Sequence, residues 1–270
     1  MSGINEWVLF EKEGYKARII INRPEKLNAV NMAIYKRVGE ILDEIDVDSE
    51  IRVVIIKGKG KAFSAGYDIN DTAESHDMLE QLSSIEKYAN GTRWKIWNLT
   101  KPVITQLHGY CLGGACEMIL PCDFIIGTED LLIGEPEIKF GENPAFLMIP
   151  WVTGLRKSKE LLLTGAKVTG IEAEKMGLIT RAVPADKLEQ EVEKLADELI
   201  KIPAPAMYIQ KRGINRAFEI MGLNPAIDSW ADMGLWMNVL KTPEVIEFNR
   251  ITKEKGVKAA LAWRDEHYAK

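Results

Sequence analysis

A chain of 270 residues that is 46% hydrophobic and 28% charged has the composition of a folded globular protein, long enough to bury a full core, with nothing of a disordered or fibrous sequence. Its net charge of −5 argues against a nucleic-acid partner, which usually calls for a basic balance or stripe. The first residues, Met1-Ser2-Gly3-Ile4-Asn5-Glu6, lack the basic-then-apolar pattern of a secretory leader, and no later uncharged run is long enough for a bilayer, so a cytoplasmic location and no membrane partner are expected.

Trp7–Phe10 and Ala17–Ile21 read as two strands of a hairpin joined by Glu11-Lys12-Glu13-Gly14-Tyr15. Asn22-Arg23-Pro24 ends that segment. From Met32 to Val47 the apolar residues Ile34, Val38, Ile41, Leu42 and Ile45 recur at helical spacing, and Val53-Val54-Ile55-Ile56 follows as a short buried strand. A basic glycine loop, Gly58-Lys59-Gly60-Lys61, leads into Ala62-Phe63-Ser64-Ala65-Gly66-Tyr67-Asp68-Ile69. Small residues around Gly66 let the backbone approach a ligand closely, although the same residues also suit a plain strand-to-helix turn.

A second helical stretch is predicted around Met78–Trp97, then a strand at Pro102–Leu107, a helix over Leu112–Leu120 and a strand at Phe124–Ile126. Strands alternating with helices imply an α/β fold with a mostly parallel sheet covered on both faces. Cys111, Cys116 and Cys122 fall within twelve apolar residues without metal or redox spacing, and read as buried small side chains in a reducing compartment. Beyond Leu155 helices dominate, and a helical C-terminal region is expected to begin near Pro203, dividing the chain into 1–202 and 203–270. Trp230, Met233, Leu235, Trp236, Met237 and Val239 make that region apolar enough for either a core or a subunit contact.

The segment richest in chemistry is His108-Gly109-Tyr110-Cys111-Leu112-Gly113-Gly114-Ala115-Cys116-Glu117. Glycines that open a helix present unpaired N–H groups and the positive end of the helix dipole to a developing anion. Glu117 lies one turn on from Gly114, on the same face, and its apolar surroundings would raise its pKa toward acid/base use. The alternative is that the glycines serve close packing and Glu117 only complements the dipole. Twenty residues later, Gly134-Glu135-Pro136-Glu137 supplies further carboxylates. A second N–H from the Gly66 loop would complete an oxyanion hole with Gly114. The phosphate-loop and dinucleotide fingerprints are both incomplete, and none of His76, His108 or His267 neighbours a Ser or Cys in a recognisable nucleophile motif.

Together these segments resemble the crotonase, or enoyl-CoA hydratase/isomerase, superfamily. Asn22-Arg23-Pro24 with Asn28-Ala29, Phe63–Asp68, Gly109–Asp123, Lys167–Leu178, and Phe248 with Lys255-Gly256-Val257 follow one another as that family's motifs do. The resemblance implies a ββα spiral core with a helical C-terminal trimerisation region, a homotrimer or homohexamer, and an acyl-CoA substrate with no separate cofactor. It places the oxyanion donors at Tyr67 and Gly114, the proton-moving acids at Glu117 and Glu137, and the CoA path along Lys61, Ala62, Ala65 and Ile69, with Ala145 near the reacting water. Glutamate at both acid positions implies water addition across the 2,3 double bond of an enoyl-CoA, or its removal. Isomerisation, thioester or ring hydrolysis on the same scaffold, and non-catalytic binding of acyl-CoA remain open. Two departures bear on the acyl group. A glycine-rich stretch usual after the second acid is replaced by Gly141–Trp151, with the bulky Phe146, Met148 and Trp151, and Glu135 adds a third carboxylate.

Overall fold

The computed structural model describes residues 3–69, 80, 83–239 and 242–268, with side chains at 140, 232 and 234–239 outside the description. After a short helix α1 (Ile4–Trp7), strands β1 (Val8–Glu13) and β2 (Lys16–Ile21) form the expected hairpin, slightly longer than its apolar residues suggest. Trp7, read from sequence as the first strand residue, closes α1 instead. Helix α2 (Met32–Val47) has the predicted bounds. Asn31 caps it, its side chain accepting the Ile34 N–H at 3.1 Å, and Ile34, Tyr35, Val38, Ile41, Leu42 and Ile45 are buried on one face.

Strands β3 (Val53–Gly58), β4 (Val103–Leu107), β6 (Phe124–Thr128) and β9 (Arg181–Val183) complete a six-stranded sheet in the order β1-β2-β3-β4-β6-β9, parallel except for the first pair. Both faces are covered, as a parallel sheet requires. Val54, Ile56, Val103, Leu107 and Ile125 point into the main core with α2, whereas Val53, Ile55, Ile104 and Ile126 pack under helix α7 (Leu188–Lys201) through Leu188, Val192 and Ala196.

A second, three-stranded sheet positions the site. Its strands are β5 (Tyr110–Leu112), β7 (Leu132–Gly134) and β8 (Lys167–Thr169), in the order β5-β7-β8. The sequence reading began a helix at Leu112, but three residues of strand come first and helix α4 runs only from Gly114 to Ile119. A strand this short carries too few residues to show a period of two. Upstream, the stretch predicted around Met78–Trp97 contains a wide helical turn at Ile85–Asn90 and helix α3 (Gly91–Asn98), while Met78 itself lies outside the described residues.

Helix α5 (Ile149–Thr164) is broken at Gly154, and α6 (Gly170–Lys175) opens with a capping box between Thr169 and Glu172. The helical C-terminal segment comprises α8 (Ala204–Ile220), α9 (Leu223–Val239), α10 (Pro243–Lys255) and α11 (Val257–Tyr268). Helix α8 is pinned to the core by Lys211, whose Nζ lies 2.7 Å from Asp123 Oδ2, and by Asn215, which donates to the Trp97 carbonyl at 2.8 Å. Helices α10 and α11 fold back so that Phe248, Ile251 and Ala260 pack with Ile69. Of the apolar residues expected to form a core or a subunit contact, Trp230 donates to the Pro144 carbonyl at 2.6 Å and Met233 is exposed, while the side chains of Leu235, Trp236, Met237 and Val239 lie outside the description.

Candidate active site

Two backbone segments meet at the edge of the small sheet. Ser64 pairs with Cys111, its N–H donating to the Tyr110 carbonyl at 2.9 Å, which draws the Ser64–Asp68 loop alongside β5. On its other side the loop pairs with Val30: Val30 donates to Gly66 O and Asp68 donates to Val30 O, each at 2.8 Å. In a parallel bridge the residue between those two bonds turns its own N–H away from the partner strand. Tyr67 is that residue. Gly114 opens α4, where the first helical N–H groups lack a partner in the helix. Among the described residues neither N–H donates a hydrogen bond.

The closeness of the two segments is what requires glycine. A Cβ on Gly66 would come within 2.7 Å of the Leu112 carbonyl oxygen, and one on Gly114 within 2.5 Å of the Tyr67 ring. Gly113 adopts φ 52°, ψ −129°, a conformation that side chains resist, and a Cβ there would overlap the Glu137 carboxylate. Glu137 is thus held against the start of α4, on a short 3-10 turn (Pro136–Phe140) that follows β7.

Glu117 sits on the first turn of α4 and is fully buried. Glu117, Glu135 and Glu137 each offer a carboxylate oxygen, and these three oxygens all lie within 4.8 Å of one another. Among the described residues, neither oxygen of Glu117 or of Glu135 has a hydrogen-bond partner. Among the described residues, the single positive charge at the cluster is Arg93 of α3, itself fully buried, with Nη2 at 3.2 Å from Glu117 Oε2. This contact is an ion pair, because Nη2 directs its protons at the hydroxyls of Tyr35 and Tyr67, both 2.8 Å away.

The electrostatics follow from that arrangement. Burial raises the pKa of Glu117, while the Arg93 charge and the nearby N–H groups of Ala145 and Phe146 pull it back. Burial lifts Glu137 to about 8, with the charge of Glu117 adding to the rise. Glu135 is pushed well above the usual carboxylate range by burial and then by the charges of Glu137 and Glu117. All three carboxyls are thus raised by burial, and Glu117 is the one whose rise the Arg93 guanidinium opposes. Oxygens this close could also converge on a small divalent cation, but Arg93 already places a positive charge beside Glu117.

The site opens onto a cleft of about 500 Å³, lined by Ala65, Gly66, Tyr67, Ile69, Gly113 and Glu137 on one side and by Val245, Phe248, Leu261 and Arg264 of α10 and α11 on the other. Of the residues the resemblance placed on a CoA path, Ala65 and Ile69 line this cleft, whereas Lys61 and Ala62 do not. Ala62 is buried under Gly109, and Ala145, expected near the reacting water, has its N–H beside Glu117. The sequence reading missed Arg93 and Tyr35. A signal existed for each: Arg93 shares a helix face with the buried Ile96 and Trp97, and Tyr35 lies next to Ile34 on the apolar face of α2.

Residues 11–237 match the family described as Enoyl-CoA hydratase/isomerase. A probable enoyl-CoA hydratase of Mycobacterium bovis is 35% identical over 217 residues, covering 79% of this chain and 83% of that one. A short-chain-enoyl-CoA hydratase of Clostridium acetobutylicum is 32% identical over 216 residues, covering 78% and 82%. Among solved structures, an enoyl-CoA hydratase/isomerase from Xanthobacter autotrophicus Py2 superposes with a TM-score of 0.90 at 32% identity, over 97% of this chain and 98% of that one.

Proposed function

The chain belongs to the enoyl-CoA hydratase/isomerase family, and from that premise we propose that it adds water across the 2,3 double bond of an enoyl-CoA thioester, or removes it from the hydrated product. The observation that carries this reading is the convergence of two buried acids, only one of them beside a guanidinium, on the segments that carry two unpaired backbone donors. The N–H groups of Tyr67 and Gly114 hold the thioester oxygen as it takes on enolate charge, a contribution worth about 10²- to 10³-fold in rate per donor. Glu117, whose ionised form the Arg93 charge favours, takes a proton from the water that attacks C3. Glu137, with its pKa near 8, is protonated at neutral pH and delivers a proton to C2. Two acids whose surroundings push their pKa values apart divide the base and acid roles between them.

The CoA portion lies in the cleft beside Ala65 and Ile69, with Lys61, Ala62 and Ala145 as outer contacts or supports of the loops that form it. Leu155, Leu163, Ile209 and Ile220, all exposed on the single chain, support assembly as a homotrimer or homohexamer. Free cysteines buried at 111 and 116 suit a reducing cytoplasm.

The test is to incubate the protein, with nothing added, with short, aromatic and alicyclic 2-enoyl-CoAs, following thioester absorbance and product mass. Gain or loss of one water is expected, and Glu117→Gln and Glu137→Gln should each lower kcat by at least about 10²-fold. A product with a shifted double bond identifies an isomerase, and a free acid a hydrolase. Binding without turnover of any thioester would overturn the enzymatic reading, and full activity of both glutamine variants would overturn the assigned roles.

A further inference from the structure

Arg93 is an unusual residue to find where it is. It is fully buried on α3, and its guanidinium is packed over the Tyr35 ring, 5.0 Å from its centroid, and the Phe146 ring, 5.7 Å away. Burying a guanidinium costs several kcal/mol unless its partners are well placed. Nη1 donates to Asn90 Oδ1 at 2.7 Å, and Asn90 in turn donates to Glu86 at 2.9 Å, which fixes the fork from behind. Nη2 faces forward. It donates to the Tyr67 hydroxyl and the Tyr35 hydroxyl, each at 2.8 Å, and stands 3.2 Å from Glu117. Tyr35 passes the connection on, its hydroxyl donating to the Gly114 carbonyl at 2.5 Å.

We infer that Arg93 is a positioning residue that ties together, through one nitrogen, the loop carrying the Tyr67 N–H, the helix start carrying Gly114, and the carboxylate of Glu117. This rests on the proposed use of those three groups. The segments are also joined by the Ser64–Cys111 pairing and by two close contacts, Gly66 under Leu112 and the Tyr67 ring on Gly114. Without Arg93 the Tyr67 ring and the Gly114 carbonyl lose their shared anchor, and the spacing of the two N–H groups rests on those backbone contacts alone. A cation at this point also biases the acid cluster. The groups facing Glu117 are Arg93 from α3, Tyr35 from α2, Tyr67 from its loop, and Glu135 and Glu137 from the segment after β7. Only Arg93 among them is positive. Its removal leaves three buried carboxyls to share the negative charge, and Glu117 becomes the harder one to ionise.

Two consequences can be separated. In Arg93→Met both the clamp and the charge are lost: kcat should fall on the order of 10²-fold at neutral pH, and the acid limb of the kcat profile should move alkaline by about 1–3 pH units, narrowing the pH range in which Glu117 is ionised while Glu137 keeps its proton. In Arg93→Lys a positive charge remains but a single ammonium cannot make the forked set of bonds, so kcat should fall while the acid limb stays near its wild-type position. Tyr67→Phe removes one strand of the clamp and leaves the charge intact, and should lower kcat more than it raises KM.

The deciding measurement does not depend on turnover. The infrared carboxyl bands of the whole protein, with Glu117→Gln as the reference that identifies the Glu117 band, should show Glu117 ionised at neutral pH in the wild type and protonated in Arg93→Met. Arg93→Gln, which also removes the charge, supplies the same comparison if the methionine variant does not fold. A wild-type protein that leaves enoyl-CoAs unchanged yet shows this band shift would sink the hydration reading and keep the Arg93 assignment. An unmoved band in both Arg93→Met and Arg93→Gln, or a kcat that falls with an unshifted acid limb in Arg93→Met, would overturn the assignment and leave Arg93 a purely structural residue.

Discussion

Substituting Gly113 by alanine tests the placement of Glu137 without touching any ionisable group. Gly113 has φ 52°, ψ −129°, a region that costs a non-glycine residue about 1–3 kcal/mol. The new methyl would overlap Glu137 Oε1 and stand 3.0 Å from the carboxyl carbon, where ordinary contact needs about 3.5–4.0 Å. The side chain can yield, because its carboxyl group is the far end of a flexible chain, so folding survives; but the carboxyl is displaced by about 1 Å, and a misplacement of that size costs on the order of 10²-fold in rate. Stopped-flow or steady-state absorbance of a 2-enoyl-CoA should show the loss in kcat with KM little changed, while thermal unfolding shows Tm lowered by roughly 2–4 °C for each kcal/mol of backbone strain. If the cost acts through Glu137, adding Glu137→Gln to Gly113→Ala should lower kcat far less than it does in the wild-type background. Wild-type kcat in Gly113→Ala, or strict additivity of the two substitutions, would refute the reasoning.

Stability should fall between pH 4.5 and about 8, the ordinary and folded values of Glu137. The native state holds this proton more tightly than the unfolded chain, so the contribution is complete below the lower value and lost as pH rises through the upper one, at up to about 1.4 kcal/mol per pH unit. Urea midpoints from pH 5 to 8 should show a shallower decline in Glu137→Gln, and an identical slope would contradict the assignment. Lys211→Met leaves Asp123 buried without its partner, and should lower stability by about 3–5 kcal/mol in urea unfolding; Asp123→Asn in the same background should recover part of that loss.

The main helix and the sheet of this protein are legible in its sequence because each repeats a local pattern. The spacing of Ile34, Val38, Ile41, Leu42 and Ile45 specifies both the bounds and the buried face of α2, and the unbroken apolar run Val53–Ile56 marks a strand covered on both sides. Glu117 on a helical first turn and Glu137 twenty residues on are equally visible. The three-residue strand Tyr110–Leu112 was not, since its length lies below what periodicity can show, and its presence sets where α4 begins and hence which N–H is free.

What only the folded chain decides is which acid stands beside a positive charge. Arg93, Tyr35 and Tyr67 are far from Glu117 along the chain and from one another, and nothing in their local patterns pairs them; α2, α3 and α4 bring them to a few ångströms. Likewise Val245, Phe248 and Leu261 reach the cleft only because α10 and α11 fold back over it. Sequence by itself determined the elements, their apolar faces and the candidate acids, because side-chain period and backbone preference are short-range properties. The tertiary structure decided the unequal surroundings of Glu117, Glu135 and Glu137, because the energy of a charge depends on its distance from other charges and from water, and those distances exist only once remote segments have packed together.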